Sequence, residues 1–170
     1  LWLNLPAKEK MQPASYRDIP AGEIPTVALP GGGAVRMIAG ALELDGTTAR
    51  WPVNGAGDKT TNPLYADVHL PPGARFRAPI PRGHNAFLYP YAGSLSVISG
   101  DGAQPLPARQ AGVLSDGERV ELEAGPDGCG VLLLSARPLG EPVVQYGPFV
   151  MNTREEIEQA LDDYRAGTLA

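Results

Sequence analysis

The sequence predicts an all-β protein, a sandwich or small barrel, with an N-terminal arm and one C-terminal helix. Two observations carry the β part. Short apolar stretches alternate with turn residues from about residue 24 to residue 136. Gly 21 and Pro 18 among 170 residues are spread through the chain rather than clustered, which favours many short strands and tight turns over a linker. The third observation is confined to the end, where apolar residues recur at helical spacing.

Residues 1–22 read as an arm. Leu1, Trp2, Leu3, Leu5 and Met11 need a surface to bury against, and three prolines among NLPAKEKMQPASYRDIP argue against regular structure there. Residues 23–140 read as the barrel. Ile24–Leu29 ends at a Pro-Gly-Gly-Gly turn, Ala34–Ala39 precedes Gly40, and Leu42–Leu44 precedes Asp45-Gly46. Residues 54–63 read as an exposed loop. Leu64–Leu70 and Ala74–Ile80 are strands separated by Pro71-Pro72-Gly73. Asn85–Tyr91 and Ser94–Ile98 are expected to pair across Ala92-Gly93, and Gly112–Leu114 is a short strand. Val120–Ala124 is expected to end at the turn Gly125-Pro126-Asp127-Gly128, before the apolar strand Gly130–Ala136. Residues 141–170 form a turn (Tyr146, Gly147, Pro148, Phe149) and a helix. Thr153 is the N-cap, Glu156 the return arm of a capping box, and Ile157, Ala160, Leu161 and Tyr164 make one apolar stripe.

Net charge is −5 and the basic residues are scattered, so charge gives no direct nucleic-acid affinity. The single cysteine, Cys129, excludes an internal disulfide and fits a reducing, cytoplasmic setting. No run of 18 apolar residues exists, and the first residues lack a basic stretch followed by an apolar core. Neither a membrane span nor a signal peptide is expected.

The stretch from Leu70-Pro71-Pro72-Gly73 through His84-Asn85-Ala86-Phe87-Leu88-Tyr89 to Gly93 resembles the first motif of a cupin, a double-stranded β-helix or jelly-roll barrel. In that motif histidines and a glutamate precede a hairpin glycine. With Gly93 as that glycine, Ala86 takes the glutamate position and the histidine positions fall near Pro79 and Pro81, or one residue later. In the second motif, Gln110-Ala111-Gly112-Val113-Leu114-Ser115 places Ser115 where a histidine belongs. None of these can supply the three or four His or carboxylate ligands of a metal centre, and the chain has two histidines in all. No metal or other cofactor is expected in this chain.

The opening LWLNLPAKEKM, the Pro-Arg-Gly-His-Asn-Ala-Phe segment and the closing RPLGEPVVQYGPFVMNTREEI resemble the pirin family, and the chain is similar to its C-terminal cupin. The resemblance implies a two-cupin protein. Its iron would be held by three histidines and a glutamate of an N-terminal cupin upstream of Leu1, and bacterial members are linked to quercetin 2,3-dioxygenase activity. Few lysines beside many arginines, with abundant Ala, Gly and Pro, agree with a bacterial source. The resemblance also implies an interdomain face, with Trp2, Leu3, Leu5, Tyr146, Phe149, Ile157 and Leu161 as candidates. The partner expected there is the N-terminal cupin of the same protein. Eukaryotic members act as transcriptional co-regulators through protein contacts, so a non-catalytic interaction module is the second expectation.

A third expectation is a metal-free cupin isomerase or epimerase with a histidine base. Asp67 and His69, two residues apart on one strand, share a face, so the carboxylate can orient the imidazole. The bland alternative is an exposed polar strand face. His84, at the entry to a strand, is either a general base or a turn histidine bonded to nearby backbone. Cys129, between two glycines and without a neighbouring histidine, reads as structural. Gly31-Gly32-Gly33 precedes a strand rather than a helix and so is not a phosphate loop. Trp2, Tyr16, Trp51, Phe87, Tyr89 and Tyr91 read as core and edge packing rather than a base-stacking platform.

Overall fold

The computed structural model describes residues 1–14, 16–44, 47–51 and 60–169. The turn read at Asp45-Gly46, most of the 54–63 loop and the side chain of Trp51 lie outside them. The elements are α1 (Ala7–Lys10), β1 (Thr26–Ala28), β2 (Ala34–Leu44), β3 (Thr47–Trp51), β4 (Leu64–Leu70), β5 (Arg75–Pro79) and β6 (Asn85–Ser99). They continue with β7 (Gly102–Leu106), β8 (Gly112–Val113), β9 (Arg119–Ala136), β10 (Val144–Tyr146), β11 (Phe149–Met151) and α2 (Arg154–Ala166).

Among the described residues, nine strands form one antiparallel hydrogen-bonded sheet, in the order β1-β2-β4-β9-β6-β7. β3 is added to β2, β5 to β9 and β8 to β6. Two long strands organise it. The first half of β9 pairs with β5, setting Phe76 against Leu122, and its second half pairs with β4, setting Ala66 against Leu133. β6 runs beside both halves. β5 also touches β2, to which it is not hydrogen-bonded, so the sheet curls until its inner face closes on itself. Period-two alternation then puts one side of each strand into a single core. Val35 and Met37 of β2, Val68 of β4, Phe76 of β5, Leu88 of β6 and Leu122 and Leu133 of β9 are all within it.

The structure corrects three of the strand boundaries read from the sequence. Ala92-Gly93 is not a hairpin turn, and Gly125-Pro126-Asp127-Gly128 does not end a strand; β6 and β9 each run straight through. Gly93 marks an irregularity in the β6–β9 register, between Gly93 and Leu95, not the end of a hairpin. Its φ is +66°, and a Cβ there would lie 2.0 Å from the Gly128 carbonyl oxygen. The glycines bring two backbones together instead of reversing the chain. The true β6–β7 reversal falls at Ser99–Gly102. Likewise Ala34–Ala39 and Leu42–Leu44 are one strand, passing close to Pro63 at Gly40.

The terminal block forms as its sequence predicts. Tyr146 pairs with Phe149 across a two-residue Gly147-Pro148 loop. The Glu156 amide donates to Thr153 Oγ1 at 3.2 Å, while Glu156 Oε2 accepts from the Thr153 amide at 3.0 Å, and Gly167 closes α2 in the left-handed conformation. Ile157 and Ala160 are buried, whereas Tyr164 is exposed and meets Phe149 edge-on at 6.0 Å. Thr153→Ala removes one half of the capping box and is expected to cost about 1 kcal/mol, read from the urea midpoint.

The arm is more ordered than its prolines imply. One helical turn, α1, docks on the terminal block. The Ala7 amide donates to Glu141 Oε2 at 2.8 Å, and Lys10 Nζ donates to the Val150 carbonyl at 2.9 Å. Beyond it, Leu1, Trp2 and Leu3 stay exposed.

Candidate functional site

Two places gather the residues on which chemistry could rest. The first is the mouth of the barrel, a cavity of about 480 Å³. Ile80 after β5, Ala86 in β6, Leu114 after β8 and Val120 in β9 give it apolar walls, and His84 stands beside them. Arg82, Asp116 and Glu118 form part of the rim. Arg82 Nε donates to Glu118 Oε1 at 2.7 Å, and Asp116 Oδ1 accepts the Gly83 amide at 2.8 Å.

The positions that a cupin iron would need hold Ala86 and Ser115 in the cavity wall, with Pro79 and Pro81 exposed. Of these only Ser115 carries a side-chain donor atom, and a hydroxyl is a poor ligand for iron. Among the described residues, no three His, Cys, Asp or Glu side chains come together at metal-binding distance. The residues present do not fit an iron centre.

His84 bonds not to backbone, as the turn reading had it, but to a side chain: Nδ1 lies 3.2 Å from Oγ of Ser135, a buried residue of β9. Burial, and then the Arg137 charge, lower its pKa from the ordinary histidine value. Folding therefore favours the neutral imidazole over the charged one. The unfolded chain takes up a proton near pH 6.5 that the folded chain refuses, so stability falls as pH drops through that range. His84→Gln is expected to flatten this acid-side loss, and an NMR titration of the ring is expected to find its midpoint below that of a free histidine.

The second place is on the outer face of the sheet, where Asp67 and His69 do meet. His69 Nε2 lies 3.1 Å from Asp67 Oδ2. A third residue completes the group: the Tyr91 hydroxyl donates to Asp67 Oδ1 at 2.7 Å and lies 3.0 Å from His69 Nε2. Because the phenol proton is committed to Asp67, the Tyr91 oxygen accepts from His69, so Nε2 carries the imidazole proton and Nδ1 is left as the base. Burial first, then the hydrogen bond and charge of Asp67, hold the Tyr91 phenol well above its usual pKa. Asp67 is 9% exposed, which separates the group from a plain solvated strand face. His69 and Tyr91 border an open depression of about 410 Å³ that also reaches Asp127 and Cys129. The Cys129 thiol is buried there, and burial pushes its pKa up, away from the reactive thiolate.

Sequence reasoning read Tyr91 as packing and so missed it. Its ring crosses β9 to reach β4 over Gly130, where a Cβ would sit 2.7 Å from the ring carbons. A glycine in an otherwise apolar strand was the available signal.

Of the residues expected at an interdomain face, Trp2, Leu3 and Tyr146 are exposed, Leu5, Phe149 and Leu161 are partly buried, and Ile157 is buried within the chain itself. No helix among the described residues is long and apolar enough to cross a membrane.

The curled antiparallel sheet, with its core between facing strands and a ligand-sized mouth, defines the chain as a cupin. A family model described as the pirin C-terminal cupin domain matches residues 65–170. The chain belongs to the pirin family. It is 45% identical over 171 residues to a Pseudomonas aeruginosa protein named "Putative quercetin 2,3-dioxygenase PA3240", covering all of this chain and 58% of that one. To Pirin of Homo sapiens it is 37% identical over 166 residues, covering 97% of this chain and 54% of that one. The crystal structure of a quercetin 2,3-dioxygenase from Acinetobacter baumannii superposes with a TM-score of 0.81 at 33% identity, over 99% of this chain and 55% of that one. The chain thus spans just over half the length of the relatives it matches.

Proposed function

We propose that this chain works as the C-terminal, metal-free cupin of a two-cupin protein, supporting a quercetin 2,3-dioxygenase-type iron site carried by an N-terminal cupin. The observation behind this reading is a barrel that keeps the cupin form while Ala86, Ser115, Pro79 and Pro81 stand where ligands would be. The additional length of the matched relatives supports it, since it is room for a second domain. Trp2, at 65% exposure, and Leu3 supply the apolar surface that the second barrel would cover.

The test is the intact mass and iron content of the protein as its source makes it. A mass exceeding 17.9 kDa by a further domain of about 100 residues, with iron bound, is expected. A species of 17.9 kDa that cleaves a flavonol unaided would overturn the proposal.

A second reading, proton transfer with His69 Nδ1 as base, is favoured by the Asp67–His69–Tyr91 hydrogen bonds. It predicts an activity lost in both His69→Ala and Tyr91→Phe. An activity that survives both substitutions removes it.

A further inference from the structure

We propose that the mouth of this barrel is itself a binding site for a small neutral molecule, an apolar ring carrying a hydroxyl group. This goes beyond the supporting role above and does not rest on it.

Size comes first. The cavity of about 480 Å³ falls within the roughly 300–1,000 Å³ of small-molecule sites. It stays open because Ala86, 6% exposed, has only a methyl where a longer side chain would fill the space. Ile80, Val97, Leu114 and Val120 give aliphatic inner walls beneath a polar rim, so an apolar ring displaces water favourably from the walls while a polar group on it meets the rim.

Charge sets the class. Both arginines at the mouth already face carboxylates, Arg82 with Glu118 at 2.7 Å and Arg119 with Glu121 at 3.9 Å. Asp116 adds a further negative charge. Glu121 also faces Arg77, at 3.5 Å, so three carboxylates and three guanidinium groups balance around the mouth, with no arginine set aside for an acidic ligand. A cationic ligand would have to give up its hydration against aliphatic walls.

His84 supplies the polar anchor. With Nδ1 against Ser135 Oγ, Nε2 is the ring nitrogen left for a ligand. Either tautomer of that imidazole can pair with a hydroxyl, which both donates and accepts. A flat phenol and a puckered cycloalkanol share this chemistry.

The experiment is an NMR titration of the whole chain, following the Ala86 methyl and the His84 ring, with phenol, cyclohexanol, benzoate and benzylamine. Saturable shifts with phenol or cyclohexanol are expected, with benzoate and benzylamine at least about tenfold weaker. Phenol alone would mean a flat ring is required; cyclohexanol binding as well would mean that the hydroxyl and apolar bulk suffice. His84→Ala is expected to weaken the hydroxylated ligand about tenfold while leaving toluene unchanged, the loss of one hydrogen bond. Ala86→Leu is expected to abolish binding in a folded chain. Should that variant not fold, the His84→Ala comparison decides. No saturable shift from any probe, benzoate or benzylamine binding as well as phenol, or His84→Ala without effect on phenol would each overturn the proposal.

Discussion

Gly93→Ala is expected to destabilise the barrel by about 2–5 kcal/mol, a large part of the stability of an ordinary domain. Two costs add. At φ +66° a side chain costs about 1–2 kcal/mol by local sterics. The new Cβ would also sit 2.0 Å from the Gly128 oxygen and 3.1 Å from Cys129 Cα, so β9 must move, an overpacking cost of about 1–3 kcal/mol. Gly73 provides the control, with the same φ of +66° and nothing within 4 Å of its Cβ position. Gly73→Ala should lose about 1–2 kcal/mol. Urea midpoints of the two variants separate backbone conformation from contact. Equal losses would show that β6 and β9 part without cost, contrary to their role as the joined spine of the sheet.

Leu133→Ala is expected to cost about 2–5 kcal/mol. Leu133 is 0% exposed, and its cross-strand neighbours are Leu88 on β6 and Ala66 on β4, both buried. Truncation leaves a cavity that two hydrogen-bonded strands hold open. Leu132→Ala, on the opposite face and only partly buried, should lose less. Combining Leu133→Ala with Leu88→Ala should depart from additivity by at least about 0.5 kcal/mol, because the two side chains border one space. Additive losses would mean that they pack independently.

Gly93 falls where the sequence was hardest to read, whereas Leu133 lies in a stretch legible as an apolar strand. Leu64–Leu70 and the capped helix were legible because their signals are local: alternation within seven residues, and a Thr–Glu pair three apart. β6 and β9 were read as broken because Ala92-Gly93 and Gly125-Pro126-Asp127-Gly128 have turn composition. A glycine that reverses a chain and one that lets another backbone approach look alike until the partner strand is known. Gly93 has Cys129 as its cross-strand partner, 36 positions on, and no local window contains both. The site shows the same division. Period two put Asp67 and His69 on one face, but Tyr91 joins them only because β6 and β4 flank β9 at Gly130. His84 was visible as a residue, while its Ser135 partner, 51 positions on, was not.

The attachment of α1 to the terminal block has a consequence for biosynthesis. Ala7 binds Glu141 across 134 positions, and Lys10 binds the Val150 carbonyl across 140. At translation rates of about 5–20 residues per second, roughly 7–28 s pass between the emergence of the two sides. Through that interval the Ala7 amide and the Lys10 ammonium are outside the ribosome without their acceptors. The nascent chain thus carries an undocked α1 through most of the synthesis of this domain, and that interval is when a chaperone has most reason to hold it.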